Sequence, residues 1–345
     1  MKAACIRSYG DVSVLNYEDI PNPAPGRGEI AIDVKAAALN HLDIWIRKGR
    51  PGLKHVFPHV LGSDASGIVA ELGEGVTNVA VGDAVILNPG VNPVEDEYTL
   101  RGEHSISTSY GIMGQARSGT FAQRIVAPAV CAYPKPAHLT FEQAAALPLA
   151  HLTAWRMLMS RAQLKPGETV LIHGIGGGVA IAALQFARLA SAECIVTSSS
   201  DAKLARAKEL GACHTINYRS TPDVAAAVRE LTQGRGVDVI IDSVGAGTWP
   251  INFAAARKGG RIVHCGATSG MEATVNMAAL YWSQLTIMGS TIGSHEEFRQ
   301  MLQAVKASGL VPVIDQTFPL AEARAAQARM EAGDQFGKIV LSPMG

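Results

Sequence analysis

The chain has 345 residues, more than one ordinary core holds, so two domains are expected, one of which can be discontinuous. Its 30 lysine and arginine residues balance 30 aspartate and glutamate residues, which leaves no uniform field to attract nucleic acid or an anionic membrane, and neither partner is expected. The opening MKAACIRSYGD holds no apolar signal segment and no stretch approaches the roughly 20 apolar residues of a membrane helix, so the expectation is a cytoplasmic protein.

From Met1 to about Ala132 the pattern is short strands between turns, with Glu29 to Val34, Gly67 to Glu71, Ala84 to Leu87 and Phe121 to Ala127 reading as strands of a β-rich domain. Between Leu139 and Met159 the apolar residues recur at helical spacing around Pro148, which predicts a helix pair. From Thr169 strands and helices alternate: TVLIHG, a helix over 178–190, ECIVTSS, a helix over 201–210, one near 222–232, VDVIIDSVG, a helix over 249–257, then GRIVHCG. Repeated βα units imply a parallel, doubly wound sheet. Ser200 or Asp201 can cap the helix that begins there, and Gly211 supplies its stop. A strand at Leu285 to Gly289, helices near 295–307 and 319–331, and a strand at Gly337 to Leu341 complete the chain. Cys5, Cys131, Cys194, Cys213 and Cys265 are scattered, odd in number and without a CxxC pair, which suits reduced core thiols.

The chemistry concentrates at Gly174-Ile175-Gly176-Gly177-Gly178-Val179, directly after the strand Val170-Leu171-Ile172 and before an apolar helix. A glycine-rich strand-to-helix turn lets backbone amides approach a pyrophosphate, and the helix N-terminus adds positive potential. Enzymes that prefer NAD place a carboxylate at the end of the second strand for the ribose 2'-hydroxyl. Here that end reads Thr197-Ser198-Ser199-Ser200, Asp201 falls in the first helical turn, and Lys203 and Tyr218 follow. Hydroxyls and an ammonium suit a 2'-phosphate, so the cofactor expected is NADPH.

Tyr9-Gly10-Asp11, AAALNHLDIWIRKG (36–49), PHVLGSDASGIVAELGEGV (58–76), VGDAV (81–85), AALPLAHLTAW (145–155), the glycine run, KLARAKELGA (203–212), DSVG (242–245) and FGKIVL (336–341) stand in one order. Together they resemble the medium-chain dehydrogenase/reductase superfamily, and within it the quinone oxidoreductase-like branch. The resemblance implies an α/β protein with a GroES-like β-barrel domain from residues 1–132 and 292–345 and an inserted Rossmann domain over 133–291, the active site lying between them. It implies that Ser199, Lys203 and Tyr218 contact the 2'-phosphate, that Thr153 lies near the nicotinamide, and that Lys338 lies near the cofactor. Gly176, Gly177, Gly178, Val179, Ser243, Val244, Gly266 and Ala267 follow parallel strands, where ligands of open sheets collect.

Zinc alcohol dehydrogenases of that superfamily take ligands from positions that hold Asn40, Ser63 and Leu149 here, a set unable to bind catalytic zinc. Their structural metal lobe corresponds to Asn88 to Ser107, with Pro93, Asp96, Thr99 and Ser107 at the cysteine positions. No metal is expected, a fortuitous site from His41, His59, Asp64, Glu103 or His104 being the alternative. Conjugate reduction of a quinone or enone needs only hydride delivery and hydrogen-bond donors for the developing oxyanion. Asn40 is the expected amide donor, His41 a possible general acid, and Asp43 an orienting group; Trp45, Tyr110 and Trp282 could wall a small electron-poor substrate. The resemblance also matches the strand from Leu285 with an edge that pairs across a two-fold axis, implying a homodimer or tetramer. An alcohol or carbonyl oxidoreductase and a non-catalytic NADPH-binding protein remain as alternatives.

Overall fold

The computed structural model describes residues 1–49 and 54–343, and the chain forms two compact units, Met1–Leu152 with Gly293–Gly345 and Thr153–Ile292.

The first unit is built on Glu29–Ala38, a strand whose final residues are buried on both faces. One edge pairs antiparallel with Asp64–Leu72, while the other takes Arg124–Pro128 along its first half and Lys338–Ser342 at its end, Ala38 facing Val340. Ala84–Leu87 and Ala132–Pro134 extend the sheet at one side and Ile314–Pro319 at the other. A second sheet of Leu15–Asp19, Lys2–Ile6 and His59–Val60 shares a core with it, including Ile6, Ile30, Ile32, Leu39, Leu61 and Phe121. This is the GroES-like β-domain the motifs implied.

Two boundaries differ from those read in the sequence. The expected strand Phe121 to Ala127 begins at Arg124, because the amides of Thr120 and Phe121 are used by the carbonyls of Gly62 and Leu61, at 3.0 and 2.9 Å. Residues 133–152, assigned from sequence to the nucleotide domain, belong to the first unit. The helix Phe141–Ala145 lies on the two central strands: Ser66 Oγ donates to Phe141 O at 2.6 Å, and Ala145 and Ala146 pack with Ala36, Ala38 and Val340. Small side chains on both surfaces permit that close approach, a tertiary fit that helical periodicity cannot reveal.

The helix His41–Lys48 follows the central strand, and the Asn40 amide donates to Asp43 Oδ2 at 2.7 Å, closing its first turn. Its other end is fixed by Arg47, fully buried, which donates to Gly10 O and pairs with Glu331 at 2.8 Å.

In the second unit six strands run parallel in the order His214–Asn217, Glu193–Ser198, Thr169–Ile172, Val237–Asp242, Ala256–His264, Thr286–Gly289. Counted along this unit the order is 3-2-1-4-5-6, the doubly wound arrangement, with its topological switch between Thr169–Ile172 and Val237–Asp242. Ser200 caps Asp201–Glu209, accepting from the Lys203 amide at 3.4 Å, and Gly211 takes φ +96° just beyond the helix end. All five cysteines are unbridged. Among the described residues no helix is long and apolar enough to cross a membrane.

Candidate active site

At the switch point the chain leaves Thr169–Ile172 through His173 and turns at Gly174, φ +69°, and Gly176, φ +122°, conformations that a Cβ would strain. Gly177 then serves as N-cap of Gly178–Leu189 and offers no side-chain acceptor, and that helix carries no acid in its first turn. The first-turn amides around Gly178 and Val179 therefore keep donors for an external anion, strengthened by a helix of 12 residues behind them. This cradle fits a pyrophosphate.

Two further loops adjoin the same carboxyl-terminal edge of the sheet. Ser243 and Val244 lie beside Gly266 and Ala267: a Cβ on Gly266 would stand 2.6 Å from Ser243 O, and Ser269 donates through both its amide and Oγ to Val244 O at 2.8 Å. Ser199 and Tyr218 each follow a paired strand end, Ser198 opposite Asn217, and the Tyr218 ring is 47% exposed. Asp201 accepts from Asn217 Nδ2 at 2.7 Å. It stands in the first turn of the helix Asp201–Glu209 and not at the strand end, and Lys203 lies in the same turn. Thr153 is buried at the start of this unit.

The first unit holds a second constellation. Lys338 Nζ, 4% exposed, donates to Leu39 O and Asn40 Oδ1, both at 2.6 Å, and to Asp64 Oδ2 at 3.0 Å. Asn40 Nδ2 donates to the same Asp64 oxygen at 2.9 Å, and the Leu149 amide donates to the other at 2.8 Å. One lysine, one carboxylate and one amide thus form a closed buried knot joining the N-terminal strands to the C-terminal one. Asp43 is buried beside it, and desolvation raises its carboxyl to about 7 against the opposing effects of the Asn40 amide and Lys338. His41 is exposed at the first helical position, yet desolvation and then Lys338 hold its imidazole below the usual value.

The residues at the zinc positions do not suit a metal. Ser63 Oγ donates to Met113 O at 2.8 Å, Leu149 has no ligand atom in its side chain, and Asn40 sits against the Lys338 ammonium, whose charge repels a divalent cation. His59 and His104 bond backbone carbonyls at Gly114 and Gly102, and among the described residues no cluster of three or more His, Cys, Asp or Glu side chains is placed to hold a metal ion. In the lobe, Asp96 gathers the amides of Tyr98, Thr99 and Thr108 and the hydroxyls of Ser107 and Thr108. Those donors, the Thr99 amide foremost, hold its carboxyl down to about 2. A carboxylate ties this lobe at its centre.

Residues 26–137 match the alcohol dehydrogenase GroES-like domain, and residues 178–307 match the zinc-binding dehydrogenase family. A zinc-type alcohol dehydrogenase-like protein of Schizosaccharomyces pombe is 38% identical over 320 residues, covering 91% of this chain and 90% of the relative. The chain belongs to the medium-chain dehydrogenase/reductase superfamily. A quinone oxidoreductase of Pseudomonas aeruginosa is 33% identical across 97% of this chain and 98% of its own. A solved NAD-dependent alcohol dehydrogenase is 43% identical, covers 99% of both chains and superposes with a TM-score of 0.94. The medium-chain superfamily uses NAD(P)H, and the chain is an oxidoreductase of that class.

Several expectations shift within this medium-chain frame. Asn40, read as a free amide donor, has already given one N–H to Asp64 and its carbonyl oxygen to Lys338. Trp45 packs against the core of the first unit, Tyr110 lies over Gly90, and Trp282 is 71% exposed in the second unit beneath Lys258. Asp64, read only as a stray metal ligand, proves central; its signal was its position two residues after Gly62 in the 58–76 motif, while its partner Lys338 lies 274 positions away.

Proposed function

We propose that this protein is a cytoplasmic, homodimeric NADPH-dependent reductase that delivers hydride to quinones or α,β-unsaturated carbonyl compounds without a metal. The observation that carries the reading is the Lys338–Asp64–Asn40 knot, which sets an internal ammonium against a position that zinc relatives use for a metal ligand and so disfavours metal chemistry there.

Bound at the glycine turn, the cofactor supplies the hydride. Gly176, Gly177, Gly178 and Val179 would hold its pyrophosphate through amides, and Ser199, Lys203 and Tyr218 would receive a 2'-phosphate, Asp201 being engaged by Asn217. Ser243, Val244, Gly266, Ala267 and Thr153 would flank its nicotinamide end. Negative charge reaching the substrate oxygen is met by the remaining N–H of Asn40, held in position by its two bonds. His41, disfavoured as a cation, is a poor acid at neutral pH, so water supplies the proton. The exposed Tyr281 and Trp282, next to the edge strand Thr286–Gly289, give the apolar surface for the second copy.

The test is NADPH oxidation with a panel of quinones, enals and enones, against aldehydes and ketones, on protein analysed for metal. Turnover of the first panel by metal-free protein supports the reading. Stoichiometric zinc with alcohol oxidation would replace it by the activity carried in the name of the 43% identical solved relative. NADPH binding without turnover of any panel would make the chain a binding protein.

A further inference from the structure

Beneath the glycine turn lies a chain of buried polar groups with no part in the chemistry above: Asp242 and Asn252 are 0% exposed, His173 and Thr197 2%. Asp242 ends the strand on one side of the switch point, His173 follows the strand on the other, and Thr197 lies on the next strand outward. Asn252 reaches them from the helix Trp249–Ala255.

The hydrogen bonds admit one consistent arrangement of protons. Asn252 Nδ2 donates to Asp242 Oδ2 at 2.5 Å, since a carboxylate only accepts. That orients Asn252 Oδ1 toward His173 Nε2 at 2.9 Å, so Nε2 carries the hydrogen. Nδ1 then accepts from the Thr197 hydroxyl at 3.2 Å. The Thr197 oxygen is left to accept the Gly174 amide at 3.4 Å, and the Thr197 carbonyl takes the Ile175 amide at 2.9 Å. Meanwhile Asp242 Oδ1 accepts the amides of Val244 and Gly245 at 2.7 and 3.1 Å, and Oδ2 also accepts the Thr248 hydroxyl. One carboxylate therefore holds the 243–245 loop directly and the glycine turn through three relays.

We infer that Asp242, Asn252, His173 and Thr197 are positioning residues that set the relative placement of the two cofactor loops, with His173 locked as the Nε2–H tautomer. The inference rests on the cofactor reading above. Burial holds the imidazole below its usual pKa against the pull of Asp242, which keeps Nδ1 free to accept. A protonated ring would present a donor to the Thr197 hydroxyl and turn it away from its present bond. The geometry thus fixes where the amides of Gly174 and Ile175 stand, and with them the donors that follow toward the helix.

The experiment compares the full-length protein with Thr197→Val, binding two probes by calorimetry: NADPH, which spans the glycine turn, and adenosine 2'-monophosphate, which reaches only the Ser199, Lys203 and Tyr218 end. The expected result is a dissociation constant for NADPH raised about tenfold, the size of one hydrogen bond, with the monophosphate within about twofold. Equal weakening of both probes, or of neither, overturns the inference. Should wild-type protein bind neither probe, the cofactor reading falls first, and the two failures are thereby told apart. A second measurement needs no ligand: proton–nitrogen NMR of the histidines should show His173 protonated at Nε2 and still neutral where an ordinary imidazole, near about 6.5, is half charged. A ring that titrates near the usual value of about 6.5, or that carries its hydrogen on Nδ1, overturns it as well.

Discussion

Asp43 offers a quantitative test of the first unit. Its carboxyl is raised to about 7, chiefly by burial, so the folded protein holds a proton there that the unfolded chain, with a value near 3.9, has released. Stability falls with rising pH wherever the folded state binds more protons. The contribution is fully present below about pH 4 and is lost as pH rises through 7. Between pH 5 and 8 the change works out at about 2–3 kcal/mol, at 1.36 kcal/mol per unit over the part of the interval where the two states differ. Asp43→Asn retains an oxygen for the Asn40 amide and removes the titration. Urea denaturation at pH 5, 6, 7 and 8, read by circular dichroism, should give a wild-type stability that declines more steeply than the variant's by that amount. Parallel pH profiles for the two proteins would refute the reasoning, because they would mean that Asp43 is ionised throughout.

Other perturbations report on separate parts of the molecule. Lys203→Ala should raise the dissociation constant for NADPH about 10- to 100-fold, the size of a charge-assisted hydrogen bond, and leave NADH unchanged, as fluorescence titration would show. Lys338→Met strands the Asp64 carboxylate in the interior and should cost about 3–5 kcal/mol, a melting temperature lower by about 10 °C in calorimetry; an unchanged melting point would mean that the knot is dispensable. Trp282→Glu should convert a homodimer to a monomer in light scattering, and a monomeric wild type would exclude the dimer outright. Dialysis against a chelator should leave turnover of the preferred quinone or enone within about twofold.

The second unit was the more legible part. Its βα alternation, the glycine run and the cap at Ser200 are local signals, and each strand was placed within a few residues because buried parallel strands stand out as unbroken apolar runs. The first unit was harder. Lys2–Ile6, Leu15–Asp19 and Ile314–Pro319 escaped notice, being short and lacking sustained alternation; they are strands because of what they pair with. Residues 133–152 were assigned to the wrong side for a related reason: their spacing announced helices but could not say which sheet their small residues would meet. Asn40, Asp43 and Lys338 were picked out by motif, and the structure brings them to one place with Asp64, yet no spacing rule could show that the Asn40 amide is shared between a carboxylate and an ammonium. His173 and Asn252 carried no signal, since a buried histidine in a strand exit is indistinguishable in sequence from an ordinary core residue.

The interruption of the first unit by the second governs the order in which the Lys338–Asp64–Asn40 knot can form during synthesis. Residues 153–292 are contiguous, whereas the edge of Glu29–Ala38 is completed by Lys338–Ser342 from the far end of the chain. Lys338 must then find Leu39 across 299 positions, a slow closure if the intervening chain were loose. Folding of the second unit, wherever it precedes that contact, shortens the loop to the unit's own end-to-end span. Until that contact forms Asp64 and Asn40 lack their cation, so the buried knot of the first unit is the last part of its interior to be completed, when the end of the chain arrives.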